Sequence, residues 1–173
     1  MSWALLRAIL ILPANALVTI PGLILWLSAG AGAGPSWRLA PPDSPWFWAA
    51  LVLMAGGLVL MGWTMTLFTR RGQGTLAPWD PPQKLVAAGV YRHVRNPMIS
   101  GVMAALYGEA LLFGSLALLA WALIFTLANV IYIPNFEEPG LEKRFGEDYR
   151  RYRANVPRWG PRLTPWRGGE PEG

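Results

Sequence analysis

The chain has 173 residues, of which 53% are apolar, 14% are charged and ten are Trp. A charged fraction well below the roughly 25% of ordinary soluble domains, over a length that fits one domain, argues against a typical water-soluble fold and points to lipid. There is no Cys and a single His, His93, which excludes disulfides, thiolate nucleophiles and multi-histidine metal or haem sites. No metal site is expected.

Four stretches, residues 4–28, 46–68, 98–113 and 116–133, are long and apolar enough to cross a bilayer as helices, and none alternates with a period of two. The expected class is therefore all-α and polytopic, because each helix satisfies its own backbone in lipid. In the first stretch, Pro13 and Pro21 predict a bend. The run from Ser28 to Ala33 looks like a signal cleavage site, but the apolar stretch before it is too long for a signal core and carries only Arg7. The later helices keep the same orientation whether or not that segment is retained. The Gly-rich run at 30–34 is no nucleotide loop, since no strand precedes it.

With four spans, both termini and the loop from Thr69 to Pro97 share one side. That side holds fourteen of the fifteen basic residues, Arg38 being the exception. The positive-inside rule makes it cytoplasmic, and the net charge of +5 is explained without nucleic acid. Size and the Ala, Gly, Pro, Arg and Trp bias suit a prokaryotic inner membrane.

The loop at 77–82 reads as rigid and turn-rich, and 83–88 as a short re-entrant or interfacial piece. Gly114-Ser115 is the only break between the third and fourth stretches, so a tight antiparallel hairpin is expected. Reflection about that turn sets Asn129 opposite Ser100, Ile133 opposite Asn96, and Glu137 with Glu138 opposite Arg92 and Tyr91. Two polar clusters then meet at one membrane edge. Farther on, Leu141, Phe145, Tyr149, Tyr152 and Val156 form a helical apolar stripe, which predicts an amphipathic interfacial helix with its basic face toward headgroups, ended by Pro157 and Pro161. Trp159 and Trp166 are expected to seat the tail at the interface. The organisation read from this is one membrane domain, with an N-terminal helical pair at 1–75, a cofactor-binding catalytic region at 76–167 and a tail at 168–173.

The first polar cluster is Gly89-Val-Tyr-Arg-His-Val-Arg-Asn-Pro-Met98, in which Asn96-Pro97 reads as a helix start whose free N–H groups, with Arg92 and Arg95, favour an anion. The second, Glu137-Glu138-Pro139, favours a cation. A site of both signs suits a zwitterion. Within the apolar stretches, Glu109 lies toward the opposite leaflet and is given a structural or channel-lining role, and Asn129 an interhelical hydrogen bond.

At these residues the chain resembles the isoprenylcysteine carboxyl methyltransferase and phospholipid (phosphatidylethanolamine) N-methyltransferase family of integral membrane methyltransferases. The pieces are Gly89-Val-Tyr91, Arg95-Asn-Pro-Met-Ile-Ser-Gly101, Glu137-Glu138-Pro139, Phe145-Gly-Glu-Asp-Tyr149-Arg-Arg-Tyr152 and Val156-Pro157, in family order over residues 83–166. Ile99 stands where many members have Tyr, so that hydroxyl is absent. The resemblance implies S-adenosylmethionine as cofactor and a lipid or other amphipathic methyl acceptor arriving from the bilayer. It also implies that Lys84, Leu85, Val86, Tyr91, Asn96, Pro97, Met98 and Ile99 line the cofactor pocket, that Glu137 holds the cofactor, and that Glu138 and Arg144 are catalytic. Glu138 would orient or deprotonate the acceptor while Arg144 binds an anionic substrate group. The alternative from another class is a non-catalytic membrane scaffold or subunit whose basic tail docks on headgroups.

Overall fold

The computed structural model describes residues 13–30, 37–67, 70 and 84–168. Residues 4–12 of the first apolar stretch, Phe68, Arg7, Arg71, the loop at 77–82 and most of the Gly-rich run at 30–34 lie outside them. The described residues are helical, with no strand: α1 (Ile20–Gly30), α2 (Pro45–Leu67), α3 (Pro97–Leu112), α4 (Leu116–Tyr132) and α5 (Glu138–Asn155). A π-helical turn, Asn15–Thr19, precedes α1, a 3-10 turn spans Gly89–Arg92, and a second π turn, Ile133–Glu137, joins α4 to α5.

Local chemistry accounts for these boundaries. Pro21 lacks an N–H, and the first π turn shifts the ladder just before it, so that the Ile20 N–H reaches back to the Asn15 carbonyl. α2 opens on Pro45 with the Ser44 hydroxyl accepting from the Trp46 N–H at 3.2 Å, the N-cap arrangement expected of Ser before Pro. α3 opens on Pro97 directly after Asn96, as expected.

One boundary differs from the sequence reading. The fourth apolar helix does not stop at Ile133 to be followed by a separate amphipathic helix. It runs on through the π turn into α5. Pro134 and Pro139 do not end it, because the π turn shifts the hydrogen-bond ladder where their N–H groups are missing, the Glu138 N–H reaching back to the Ile133 carbonyl. The bend comes later, at Gly146, whose φ of 55° and ψ of −125° suit only glycine.

The chain divides into two compact units, 1–60 with 101–128, and 61–100 with 129–173. In the first unit, the core is built of small and aliphatic residues such as Ala50, Val102, Ala105, Leu106, Leu118 and Ala122. Small residues let α2 and α3 approach at backbone distance: a Cβ on Gly57 would collide with the Gly101 carbonyl and the Ala105 N–H, and one on Gly108 would sit 2.9 Å from the Ala50 carbonyl. The Tyr107 and Thr126 hydroxyls bond at 3.1 Å between α3 and α4, and the Trp121 indole donates to the Ala16 carbonyl at 3.1 Å. The Arg38 and Ala40 N–H groups cap the Phe113 and Leu112 carbonyls at 2.9 and 2.7 Å, satisfying the end of α3. Glu109 Oε2 is buried with no hydrogen-bond partner among the described residues.

The outer faces are apolar. Trp26, Trp46, Trp48, Leu123, Ile124 and Leu127 are all more than half exposed, a pattern that water would penalise. α2 and the α4–α5 run are long and apolar enough to cross a membrane, yet only 22% and 17% of their most apolar windows are buried in the protein. A soluble core helix would be mostly covered.

The close approach at Gly57 yields a test. Gly57→Ala must push backbone away from backbone and is expected to destabilise by about 1–3 kcal/mol, whereas Gly56→Ala, with nothing within 4 Å of the new Cβ, gains about 0.5–1 kcal/mol of helix propensity. Thermal unfolding of both variants in detergent should move the midpoint in opposite directions.

Candidate active site

The site lies entirely within the second unit. Its floor is the apolar stripe of α5. Tyr149, Tyr152 and Val156 are buried against Ala87, with Leu85, Leu141, Phe145 and Trp166 packed around them. The stripe thus packs on protein, because the segment before α3 folds back to cover it. Trp166 is part of this packing, its ring 5.5 Å from that of Tyr152, and so ties down the tail.

Over that floor runs the stretch entering α3. Val86 and Tyr91 are buried together beside Leu67 and Val90. Gly89 makes the turn with φ 55°, and a Cβ there would meet Leu67 at 2.8 Å. The Tyr152 hydroxyl donates to the Tyr91 carbonyl at 2.7 Å, locking the 3-10 turn onto α5.

The segment after α5 then returns alongside residues 92–96. The Arg95 N–H donates to the Pro157 carbonyl at 2.9 Å, the Arg162 N–H to the His93 carbonyl at 3.0 Å and the Trp166 N–H to the Arg92 carbonyl at 3.0 Å. Side chains reinforce it: Arg92 Nε donates to the Trp166 carbonyl at 2.7 Å, His93 Nδ1 to the Arg162 carbonyl at 2.8 Å, and Asn96 Nδ2 to the Arg158 carbonyl at 3.4 Å. Because a carbonyl only accepts, His93 carries its proton on Nδ1.

At the centre is Glu138, only 2% exposed. Its Oε1 accepts from Arg95 Nη1 at 2.7 Å and Arg158 Nε at 2.7 Å, its Oε2 from Arg158 Nη2 at 2.9 Å, and Arg153 Nε lies 3.7 Å from Oε2. Burial alone would raise its pKa, but the Arg158 hydrogen bond and the charges of Arg95, Arg158 and Arg153 outweigh it and hold the carboxyl below the usual range. The neighbouring Glu137 behaves oppositely: burial first, then the Glu138 charge, push its pKa up. Burial also raises Tyr91, helped by Tyr152 and Glu137, and raises Tyr149, on which Glu138, Arg95 and Glu137 act as well. Arg95 Nη1 reaches the Tyr149 hydroxyl at 3.4 Å.

All of the residues expected at the site belong to this unit. Leu85, Asn96, Met98, Ile99 and Glu137 are half-buried, Val86, Tyr91, Pro97 and Glu138 are buried, and Lys84 is exposed. Arg144 stands exposed on α5, and the arginines on Glu138 are 95, 158 and 153. Reflection about the turn set Glu138 opposite Tyr91; the observed partner, Arg95, is four residues on. Sequence reasoning missed Arg158, counting it only as a topological charge. The signal was its place directly after Val156-Pro157, the last piece of the motif.

Comparison with known proteins adds an independent line. The phospholipid methyltransferase family profile matches residues 45–148. A phosphatidylethanolamine N-methyltransferase of Fusarium vanettenii is 28% identical over 124 residues, covering 66% of this chain and 13% of that protein. One of Laccaria bicolor is 37% identical over 70 residues, 40% of this chain and 8% of that protein. A methanethiol S-methyltransferase 2 of Bradyrhizobium diazoefficiens is 38% identical over 77 residues, 43% of this chain and 27% of that protein. The match thus spans a small part of each relative's length. No solved structure matches. A profile match over most of the chain, together with the apolar spans and the clustering of its polar motifs, leads to one conclusion: the chain belongs to the phospholipid methyltransferase family of membrane proteins.

Proposed function

We propose that this protein transfers a methyl group from S-adenosylmethionine to a lipid or other amphipathic acceptor at the cytoplasmic edge of the membrane, in the region 76–167. The observation that carries the reading is the half-buried Glu137 in the same unit as the start of α3, one a carboxylate and the other a helix N-terminus. The cofactor is a zwitterion at its amino-acid end, and the residues fit it. Glu137 suits the ammonium, and the first N–H groups of α3, at Met98 and Ile99, suit the carboxylate. Tyr91 and Val86 supply apolar surface.

Bound there by Glu137 and the first turn of α3, the cofactor would supply an electrophilic methyl on a sulfonium to the acceptor's lone pair, itself becoming the neutral thioether. The protein's task is to align and partly desolvate the acceptor, which needs no covalent nucleophile and agrees with the absence of Cys. Arg144, exposed on α5, is suited to an anionic group of the acceptor such as a phosphate. Four spans with α3 and α4 as an antiparallel hairpin, both termini cytoplasmic and a prokaryotic inner membrane complete the proposal, supported by the bias of basic residues to one side.

The test is calorimetry of S-adenosylmethionine and its demethylated product on the detergent-purified chain. Saturable binding of both is expected. Absence of heat at millimolar cofactor would overturn the reading in favour of a non-catalytic membrane protein.

A further inference from the structure

Glu137 and Glu138 are adjacent, both withdrawn from water, and differently partnered. Glu138 is filled: three hydrogen bonds from Arg95 and Arg158 take up both of its oxygens. Among the described residues, the titratable groups acting with Glu137 are Glu138, Tyr91 and Tyr149, and Glu138 in turn answers to Arg95, Arg153 and Arg158. Arg158 grips Glu138 at the start of α5 with two nitrogens, while its own carbonyl accepts from Asn96 at the start of α3. A guanidinium fork that satisfies both oxygens of one carboxylate fixes orientation as well as charge.

We propose that Arg158 is a positioning residue of the methyltransferase site: by filling and neutralising Glu138 it leaves Glu137 as the carboxylate presented to the cofactor's ammonium. The inference rests on the reading that Glu137 holds the cofactor. It makes the return segment after α5 part of the site, and makes Glu138 an anchor rather than a proton acceptor, since its lone pairs are already engaged.

The experiment is calorimetry of S-adenosylhomocysteine on the detergent-purified chain across acidic to alkaline pH, with thermal unfolding alongside, for E137Q, E138Q, R158Q, R158K and E138Q/R158Q. R158Q should weaken binding about tenfold, the size of coupling usual within a charge network. It should also move the acid limb of binding to higher pH, because an uncancelled Glu138 charge makes Glu137 harder to ionise. E138Q should move that limb the other way, and R158K should return it toward wild type by restoring charge without the fork. Because Arg158 acts through Glu138, R158Q added to E138Q should change affinity by less than about twofold. A folded R158Q with wild-type affinity and pH limb overturns the proposal, as does an equal loss with and without Glu138. If R158Q does not fold, E138Q against E138Q/R158Q decides, since the double variant strands no carboxylate: equal affinity supports the proposal and a tenfold difference overturns it. Wild-type affinity in E137Q overturns the Glu137 assignment instead, whichever way Arg158 behaves.

Discussion

Glu138→Ala will cost the folded protein about 3–5 kcal/mol, the penalty for stranding one side of a buried ion pair. The reason is what remains. Arg95, with a side chain only 9% exposed, and Arg158, at 29%, would face each other with their shared carboxylate gone. Arg95 Nε has no hydrogen-bond partner among the described residues, so the loss falls on a guanidinium already incompletely paired. Thermal unfolding in detergent measures it, and a loss below about 1 kcal/mol would show that solvent reaches the cluster. The pH sign follows from the same contacts. A carboxyl held below its ordinary range stabilises the fold above that range, and the contribution disappears as pH falls through the depressed value. Acid should therefore melt this unit only well below neutrality, and the alanine variant should lack that transition. The exposed pairs of Arg150 with Glu147 and Glu142 contribute little by comparison, because water screens them.

Glu137→Gln is expected to weaken S-adenosylmethionine about 10- to 100-fold while leaving the fold intact. A charge-assisted hydrogen bond is worth about 1.5–3 kcal/mol when one partner is neutralised. Glu137 itself carries a burial cost that Gln relieves: its pKa is raised by burial and by Glu138, so ionised Glu137 is a liability to the fold that, on the proposed reading, the cofactor's ammonium would offset. In the wild type, cofactor affinity should fall as pH drops through that raised value, earlier than an ordinary carboxylate would require. The glutamine variant should bind weakly and independently of pH in that window. Calorimetry at several pH values distinguishes this from general damage, which would lower affinity without flattening the profile.

Much of the architecture was legible because it depends on local properties. Apolar length marked α2 within one residue at each end, and Asn-Pro marked the first residue of α3. The spacing of Leu141, Phe145, Tyr149, Tyr152 and Val156 marked the buried face of α5. What that face packs against was not legible. A stripe records that a surface must be covered, not whether lipid or protein covers it, and here Ala87, Leu85 and Trp166 do so. The run through Ile133–Glu137 was missed for a similar reason. The apolar stretch stops at Ile133, and composition does not show that a π turn carries the helix on past Pro134 and Pro139 into α5.

By itself, the sequence determined composition, the apolar stretches, and the two polar motifs whose order carries the family. Those are properties of residue type and spacing, and a single strand of text holds them completely. Only the tertiary structure decided the pairing of charges: that Glu138 belongs to Arg95 and Arg158 while Arg144 stands exposed, and that Glu137, one residue away, lies in the opposite electrostatic situation. Ion pairs form across tens of residues through the fold of the backbone between them. Arg158 reaches Glu138 because the chain turns back along residues 92–96 through hydrogen bonds between main-chain groups that every residue carries, and such bonds leave no mark in the amino-acid alphabet.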